Sequence, residues 1–172
     1  MTDASPLMSR ALVDAFKAAF REHPSAIALI TASTARGAVG LTASSVASVA
    51  LDPPALSFSV TRATGSAGAL LAADTIVVHL LSDRHVGLAR AFARSGEPRF
   101  TPEQGWSTLA TGEPFLPDAR IALRCRPLHV VPVGSSSLVV AEVLDVHTGP
   151  SAPPLVYHDR KYRRLDPDVS GL

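Results

Sequence analysis

The 172-residue sequence predicts a mainly β protein, a small antiparallel β-barrel with two or three appended helices. Three observations predict it. Short apolar runs recur along the chain, each bounded by Gly, Pro, Asp or Ser turn residues. Strand-like and helix-like segments do not alternate regularly, which argues against a doubly wound parallel sheet. Hydrophobic residues make up 47% and charged residues 18%, which is incompatible with general disorder. At this chain length about 70% of the extended surface can be buried in one body, so a single domain is expected.

The elements follow in order. Ser5-Pro6 is a helix opening, a hydroxyl N-cap followed by proline at the first helical position. Leu7, Ala11, Leu12, Ala15, Phe16, Ala19 and Phe20 then recur at three- and four-residue steps, giving an amphipathic helix to about Glu22 that Pro24 stops. Its polar face is not strongly basic, so the apolar stripe is expected to pack on the domain, not on a membrane. Ala26–Thr34 reads as a strand with Arg36-Gly37 as its turn, and Val39–Val49 mixes small and β-branched residues. Asp52-Pro53-Pro54 enforces an extended segment before a strand at Ala55–Thr61. A short helix at Gly65–Ala73, a strong strand at Thr75–Leu81 and a helix at Arg84–Arg94 come next. Arg99–Gly112 is irregular. Ala119–Cys125, Leu128–Val133 and Ser137–Val146 read as three further strands. Gly149–Pro154 is a linker, Leu155–Leu165 one last strand-like piece, and Asp166–Leu172 a frayed tail. The expected organisation is therefore a helix over 1–24, a barrel domain over 25–165 and a tail over 166–172.

Composition narrows the function classes. Sixteen basic and 15 acidic residues give a formal charge of +1, which offers no electrostatic case for a nucleic-acid or anionic-membrane partner. One cysteine, Cys125, excludes an intrachain disulfide and a zinc ribbon. The N-terminus has no basic region leading into an apolar run, and the most apolar stretch, Ala67–Leu81, is too short to span a bilayer. A soluble cytoplasmic protein is the expectation. Low charge in such a chain also implies that a partner subunit or ligand covers part of its apolar surface.

No metal site is expected, since His23, His79, His85, His129, His147 and His158 lack partners at ligand spacing. There is no Gly-x-Ser-x-Gly elbow, no Gly-x-Gly-x-x-Gly and no Walker motif. Cys125 lies in an apolar strand pattern flanked by Arg124 and Arg126, which alternation turns to the opposite face, so it reads as a buried structural thiol. Three stretches carry more information. Gly40–Pro54 is dense in hydroxyls (Thr42, Ser44, Ser45, Ser48), and its small residues would let a flat ligand approach the main chain, although composition alone favours an ordinary Ser/Thr-rich barrel strand and turn. Arg62–Gly68 sets Arg62, Thr64 and Ser66 at the opening of a short helix, suited to a phosphate or to plain helix capping. Tyr157–Arg164 holds two tyrosines and basic side chains that would close a cleft or protect a strand edge.

In this order, the three stretches resemble the flavin reductase-like family of FMN-binding split barrels. The strongest element runs from Ile30 through Pro54, with Gly-Leu-Thr-Ala-Ser-Ser and Ser-Val-x-Leu-x-Pro-Pro; Gly112-x-Pro114, Leu123-x-Cys125, Ala141-Glu142-Val143 and Pro154-Leu155-Val156-Tyr157 with Tyr162 also match. The resemblance implies a six-stranded antiparallel split barrel working as a homodimer. It also implies hydride transfer from NADH or NADPH to FMN, with FAD as the alternative, and in many members delivery of reduced flavin to a separate monooxygenase. Thr42, Ala43, Ser44 and Ser45 would line the isoalloxazine. Ser59 and Arg62 would follow the ribityl and phosphate path, and Thr64 and Ser66 would take the phosphate. Phe92 would contact either the flavin or only the core, and no residue is assigned as a chemical catalyst. Tyr157 and Tyr162 would approach the nicotinamide. Two departures stand out: Arg124 replaces the family's usual Glu, and Gly134-Ser135-Ser136 replaces a Gly-Asp-His turn whose histidine meets the nicotinamide. Ser136 or His158 would then supply that contact. Otherwise the chain is a non-catalytic flavin carrier, or a split barrel for haem or a deazaflavin.

Overall fold

In a computed structural model, which describes residues 6–62 and 64–165, the first element is helix α1 (Pro6–Glu22). Strands β1 (Ser25–Ala26), β2 (Ala28–Thr34), β3 (Gly37–Ala43), β4 (Ala47–Leu51) and β5 (Pro54–Thr61) follow. Then come α2 (Gly65–Leu71), β6 (Ile76–Leu80), a 3-10 turn at Asp83–His85, α3 (Val86–Ala93) and a second 3-10 turn at Pro102–Gln104. The remaining strands are β7 (Ser107–Thr108), β8 (Pro114–Phe115), β9 (Ile121–Val133), β10 (Ser136–Thr148), β11 (Leu155–His158) and β12 (Lys161–Arg164).

Seven strands form one antiparallel sheet in the order β3-β2-β6-β9-β10-β5-β4. Alternation along β2 sends Ala28, Ile30 and Ala32 into a core with Phe58, Ile76, Val78, Cys125 and Val139, while Leu70 of α2 joins it. The opposite face is covered as well: Ile27 and Leu29 pack with Ala89 and Phe92 of α3, Leu116 and Leu155. Burial on both faces explains why β2 and β6 read as continuous apolar runs, not alternating ones. The sheet curls so that its β3 edge meets β5, yet the two strands are not paired. The expected mixed stretch Val39–Val49 is in fact two strands at opposite ends of the sheet, with Ser44–Val46 crossing the split between them.

Four expectations need correction. Ala119–Cys125 and Leu128–Val133 are parts of one strand, β9; Pro127 pairs with Ala141 and His129 with Val140, so Leu128 is a bulge and not a break. Asp52-Pro53 forms a turn around a cis bond. Leu155–Leu165 is a hairpin in a separate sheet of order β1-β11-β12, turned by Asp159 and Arg160 with φ of 48° and 58°. Helix α1 does not bury its stripe within the chain: Leu12 is 72%, Phe16 60% and Phe20 61% exposed. It meets the β11–β12 hairpin where Arg21 Nε donates to Asp159 Oδ1 at 2.5 Å and the Asp159 amide donates to the Arg21 carbonyl at 3.1 Å. Ser5 and Asp166–Leu172 lie outside the described residues.

Cys125 is buried, which pushes its thiol up to about 12, while Arg126 reaches Glu142 at 2.6 Å on the other face. His79 is fully buried. It lies 3.1 Å from the Leu29 carbonyl through Nδ1, and Nε2 accepts from the Leu116 amide at 3.2 Å. That pair of bonds requires the neutral ring, and desolvation lowers its pKa to about 4. Since the unfolded histidine titrates near 6.5, His79 favours folding fully above that pH. As pH falls from 6.5 to 4 the unfolded chain takes the proton first, and about 3 kcal/mol of stability is expected to be lost. Denaturant unfolding across this range checks it: His79→Gln should flatten the slope.

Candidate functional site

A cavity of about 770 Å³ opens where the barrel is split. One wall is the end of β3 with the crossing loop: Leu41, Thr42, Ala43, Ser44 and Ser45. Because β3 pairs only with β2, its second edge carries main-chain N–H and C=O groups that no strand satisfies. The facing wall is the end of β5 (Ser59, Val60, Thr61) with Arg62, Thr64, Gly65 and Ser66. Phe92, Ser95, Arg99, Tyr157 and Tyr162 close the remaining sides.

Ser45 bridges the split. Its Oγ accepts from the Ser59 amide at 2.9 Å and lies 3.0 Å from Ser59 Oγ. Thr42 donates its hydroxyl to the Ala89 carbonyl at 2.7 Å, so its side chain is committed to anchoring α3 and only its main chain faces a ligand. Gly40 leaves room for the protein's own aromatic ring: a Cβ there would sit 2.8 Å from Phe92 Cε1. Phe92 is 2% exposed and packs edge-on against Phe100 at 5.0 Å, so it is a core residue that also floors the cavity.

At the other end Arg62 is held at φ 58°, in the left-handed region that costs a non-glycine residue roughly 1 kcal/mol. Its amide donates to the Ser135 carbonyl at 3.0 Å. The Gly134-Ser135-Ser136 turn therefore braces Arg62 from outside. Ser136 pairs with Thr61 and lines neither this cavity nor its neighbour, contrary to the expectation for it. Thr64 precedes α2 but makes no side-chain capping bond, leaving its hydroxyl available, which removes the plain-capping reading. Tyr157 and Tyr162 lie edge to face at 5.2 Å, with the Arg90 guanidinium 5.6 Å over Tyr162. Burial and the adjacent Tyr157 hold the Tyr162 phenol above its ordinary value, against Arg90 and Arg94, so it is protonated at neutral pH.

A second cavity of about 900 Å³ shares Ser44, Ser45, Ser59 and Tyr157 with the first and extends beneath Phe16 and Phe20 of α1 to His23 and His158. His158 thus lies on the far side of Ser45 from Arg62. Among the described residues no three His, Cys, Asp or Glu side chains converge on a metal-sized site.

The sequence placed Thr42–Ser45, Ser59, Arg62, Thr64, Ser66, Phe92, Tyr157 and Tyr162 at a common site, and all of them line the one cavity. It missed Thr61, Ser95 and Arg99. Arg99 bonds to Gly40 and Ser66, 59 and 33 residues away, and no local pattern announces that.

The departure at Arg124 also resolves. Arg124 Nε lies 2.7 Å from Glu113 Oε1, and Glu113 also accepts from Thr75 at 2.6 Å and from Thr111. Burial pushes the Glu113 carboxyl up, but the bonds from Thr111, Thr75, its own backbone and Arg124 together outweigh it and hold it at about 2. A carboxylate in the Gly112-Glu113-Pro114 segment thus answers the arginine on β9.

A family model described as the flavin reductase like domain matches residues 20–166. The chain belongs to the flavin reductase-like family. Among its relatives in that family, an NADH:FMN oxidoreductase of Rhodococcus erythropolis is 40% identical over 156 residues, covering 88% of this chain and 81% of the relative. A flavin reductase domain protein from Arthrobacter sp. FB24 superposes with a TM-score of 0.84 at 31% identity, covering 90% of this chain and 96% of that one. The styrene monooxygenase flavin reductase of Pseudomonas putida S12 gives 0.78 at 25% identity, covering 88% and 97%. No helix among the described residues is long and apolar enough to cross a membrane.

Proposed function

We infer that the chain is an NAD(P)H:flavin oxidoreductase acting in the cytoplasm, with FMN, or FAD in its place, in the cavity at the barrel split. The observation that carries the reading is one continuous cavity with a main-chain edge that no strand pairs at one end, and Arg62 with the hydroxyls of Thr64 and Ser66 at the other. That donor set fits a flavin. Main-chain groups of Thr42–Ser45 match the acceptors and donors of a planar ring edge, and Arg62, Thr64 and Ser66 match a phosphate.

When bound, the flavin supplies the redox chemistry by accepting hydride from the nicotinamide. The chain's residues do the rest. The β3 edge and Ser44 orient the ring, and the Ser45–Ser59 bridge fixes the width of the split. Main-chain N–H groups of the unpaired β3 edge would favour the charge a bound flavin gains on reduction. Arg62, preset at its unusual φ and braced by Ser135, holds the anionic tail without reorganising. Tyr157 and His158, at the second cavity, are suited to receive the nicotinamide next to the ring. Holding both rings in contact makes hydride transfer local. Tyr162, protonated and packed edge to face against Tyr157, keeps that aromatic wall in place.

Arg62→Ala is expected to weaken FMN roughly 10- to 100-fold and riboflavin less than about threefold, as loss of a charge-assisted phosphate contact requires. Fluorescence titration with both flavins measures this. Equal losses would place the phosphate elsewhere.

The exposed apolar residues support a homodimer. Val130, Val131 and Val133 of β9, Val146 of β10, Val49 and Leu51 of β4, and Leu12, Phe16 and Phe20 of α1 are all at least 43% exposed. Sedimentation is expected to show twice the 18.0 kDa chain mass, and a monomer at micromolar concentration would contradict it. The likeness to a reductase of a styrene monooxygenase supports delivery of reduced flavin to a separate flavin-dependent oxygenase.

A further inference from the structure

Arg99 occupies the loop after α3 and makes an unusual set of bonds. Its Nε donates to the Ala91 carbonyl at 3.3 Å, Nη2 to the Arg94 carbonyl at 2.5 Å and Nη1 to the Gly40 carbonyl at 3.0 Å. Nη1 also donates to Ser66 Oγ at 3.4 Å. The guanidinium lies 5.4 Å over the Phe92 ring, which itself fills the space left by Gly40. Three carbonyls and a ring therefore fix the group in place, and Arg99 and Ser66 both line the cavity at the split.

The consequence lies at Ser66. A guanidinium has only donors, so Ser66 Oγ must accept from it. With that lone pair engaged, the single hydroxyl hydrogen of Ser66 is directed elsewhere, and no protein acceptor among the described residues takes it. We propose that Arg99 is a positioning residue which fixes the Ser66 hydroxyl as a donor into the cavity and so selects a ligand carrying an acceptor-only anionic group there. This rests on reading the Arg62–Ser66 end as the phosphate end. A phosphate has acceptor oxygens and matches this donor, whereas the ribityl hydroxyl of riboflavin would meet it with no charge.

The test is a double-mutant cycle on FMN and riboflavin affinities, read as the ratio of the two for each purified full-length variant, with thermal melting to confirm folding. R99Q and S66A are each expected to lower that ratio about tenfold. The double variant should lower it no further than about the single ones, because each removes the same oriented donor. R99K keeps the charge but loses the Nε and Nη2 bonds to the Ala91 and Arg94 carbonyls that fix the group, so it should regain only part of the ratio. Full recovery in R99K, multiplicative losses in the double variant, or equal losses of both flavins in R99Q would each overturn the inference. If S66A and R62A also leave the ratio unchanged, it is the phosphate-end reading that fails; if they lower it and R99Q does not, only the role of Arg99 fails. Equal losses count against the inference only in a variant that melts as the parent does; where R99Q does not fold, S66A, which leaves the carbonyl bonds of Arg99 intact, carries the test, and an unchanged ratio there overturns the inference.

Discussion

Ser45→Trp is expected to abolish flavin binding while the barrel stays folded. Ser45 sits where the two cavities meet, and its side chain is exposed between the β3 edge and β5. An indole there would occupy the plane the flavin ring needs, and neither wall can retreat, since Thr42 is tied to Ala89 and β5 is paired to β10. The expected loss is at least roughly 100-fold for FMN and riboflavin alike, since the clash is with the ring they share. Ser45→Ala separates this from the lost bridge. It removes the bond to the Ser59 amide, a cost of about 1 kcal/mol in stability, and leaves the space open. Titration of both variants, with melting curves, distinguishes blockage from collapse; a tryptophan variant that still bound flavin tightly would place the ring elsewhere.

Glu113→Ala is expected to be the most destabilising single change away from the site. Glu113 is 2% exposed, and its carboxylate is the common acceptor for Arg124, Thr75 and Thr111. Truncation leaves the Arg124 guanidinium, at 22% side-chain exposure, without its counter-charge. Breaking a buried pair from one side costs about 3–5 kcal/mol, and the partial exposure of Arg124 puts the expected loss at the lower end, about 3 kcal/mol. The melting temperature should fall by roughly 10 °C. Replacing both partners with leucine should recover much of the loss, since the apolar pair leaves no orphan charge. The same pair has a pH signature. Its folded pKa lies below the unfolded value, so its contribution is complete above about 4.5 and is lost as pH falls toward 2.

How much of this was legible in the sequence depends on the range of the interactions involved. Helix α1 and strands β5 and β6 follow from local pattern, and the structure places them at Pro6–Glu22, Pro54–Thr61 and Ile76–Leu80. The cavity residues were legible through the resemblance to the flavin reductase-like family; the clustering of small and hydroxylated side chains at Thr42–Ser45 and Arg62–Ser66 alone fits a plain strand and a capped helix. What stayed hidden involves partners far apart in the chain. That β3 and β4 diverge to opposite edges of the sheet is decided by which strand each pairs with, β2 or β5. The apparent break before Leu128 is a proline at a bulge, and proline gives the same local signal for a bulge as for a loop. The charge at Arg124 looked like a departure until Glu113, 11 residues earlier, was seen to answer it. The periodicity of α1 announced a helix but not its burial: Leu12, Phe16 and Phe20 stay exposed in the chain.

The most direct test of the central claim is an anaerobic titration: purified protein with one equivalent of FMN, to which NADH is added while the visible flavin absorption is followed. The account predicts that FMN binds at micromolar concentration and that its absorption bleaches in step with the nicotinamide consumed. Bound FMN that keeps its colour under excess NADH and NADPH would contradict it.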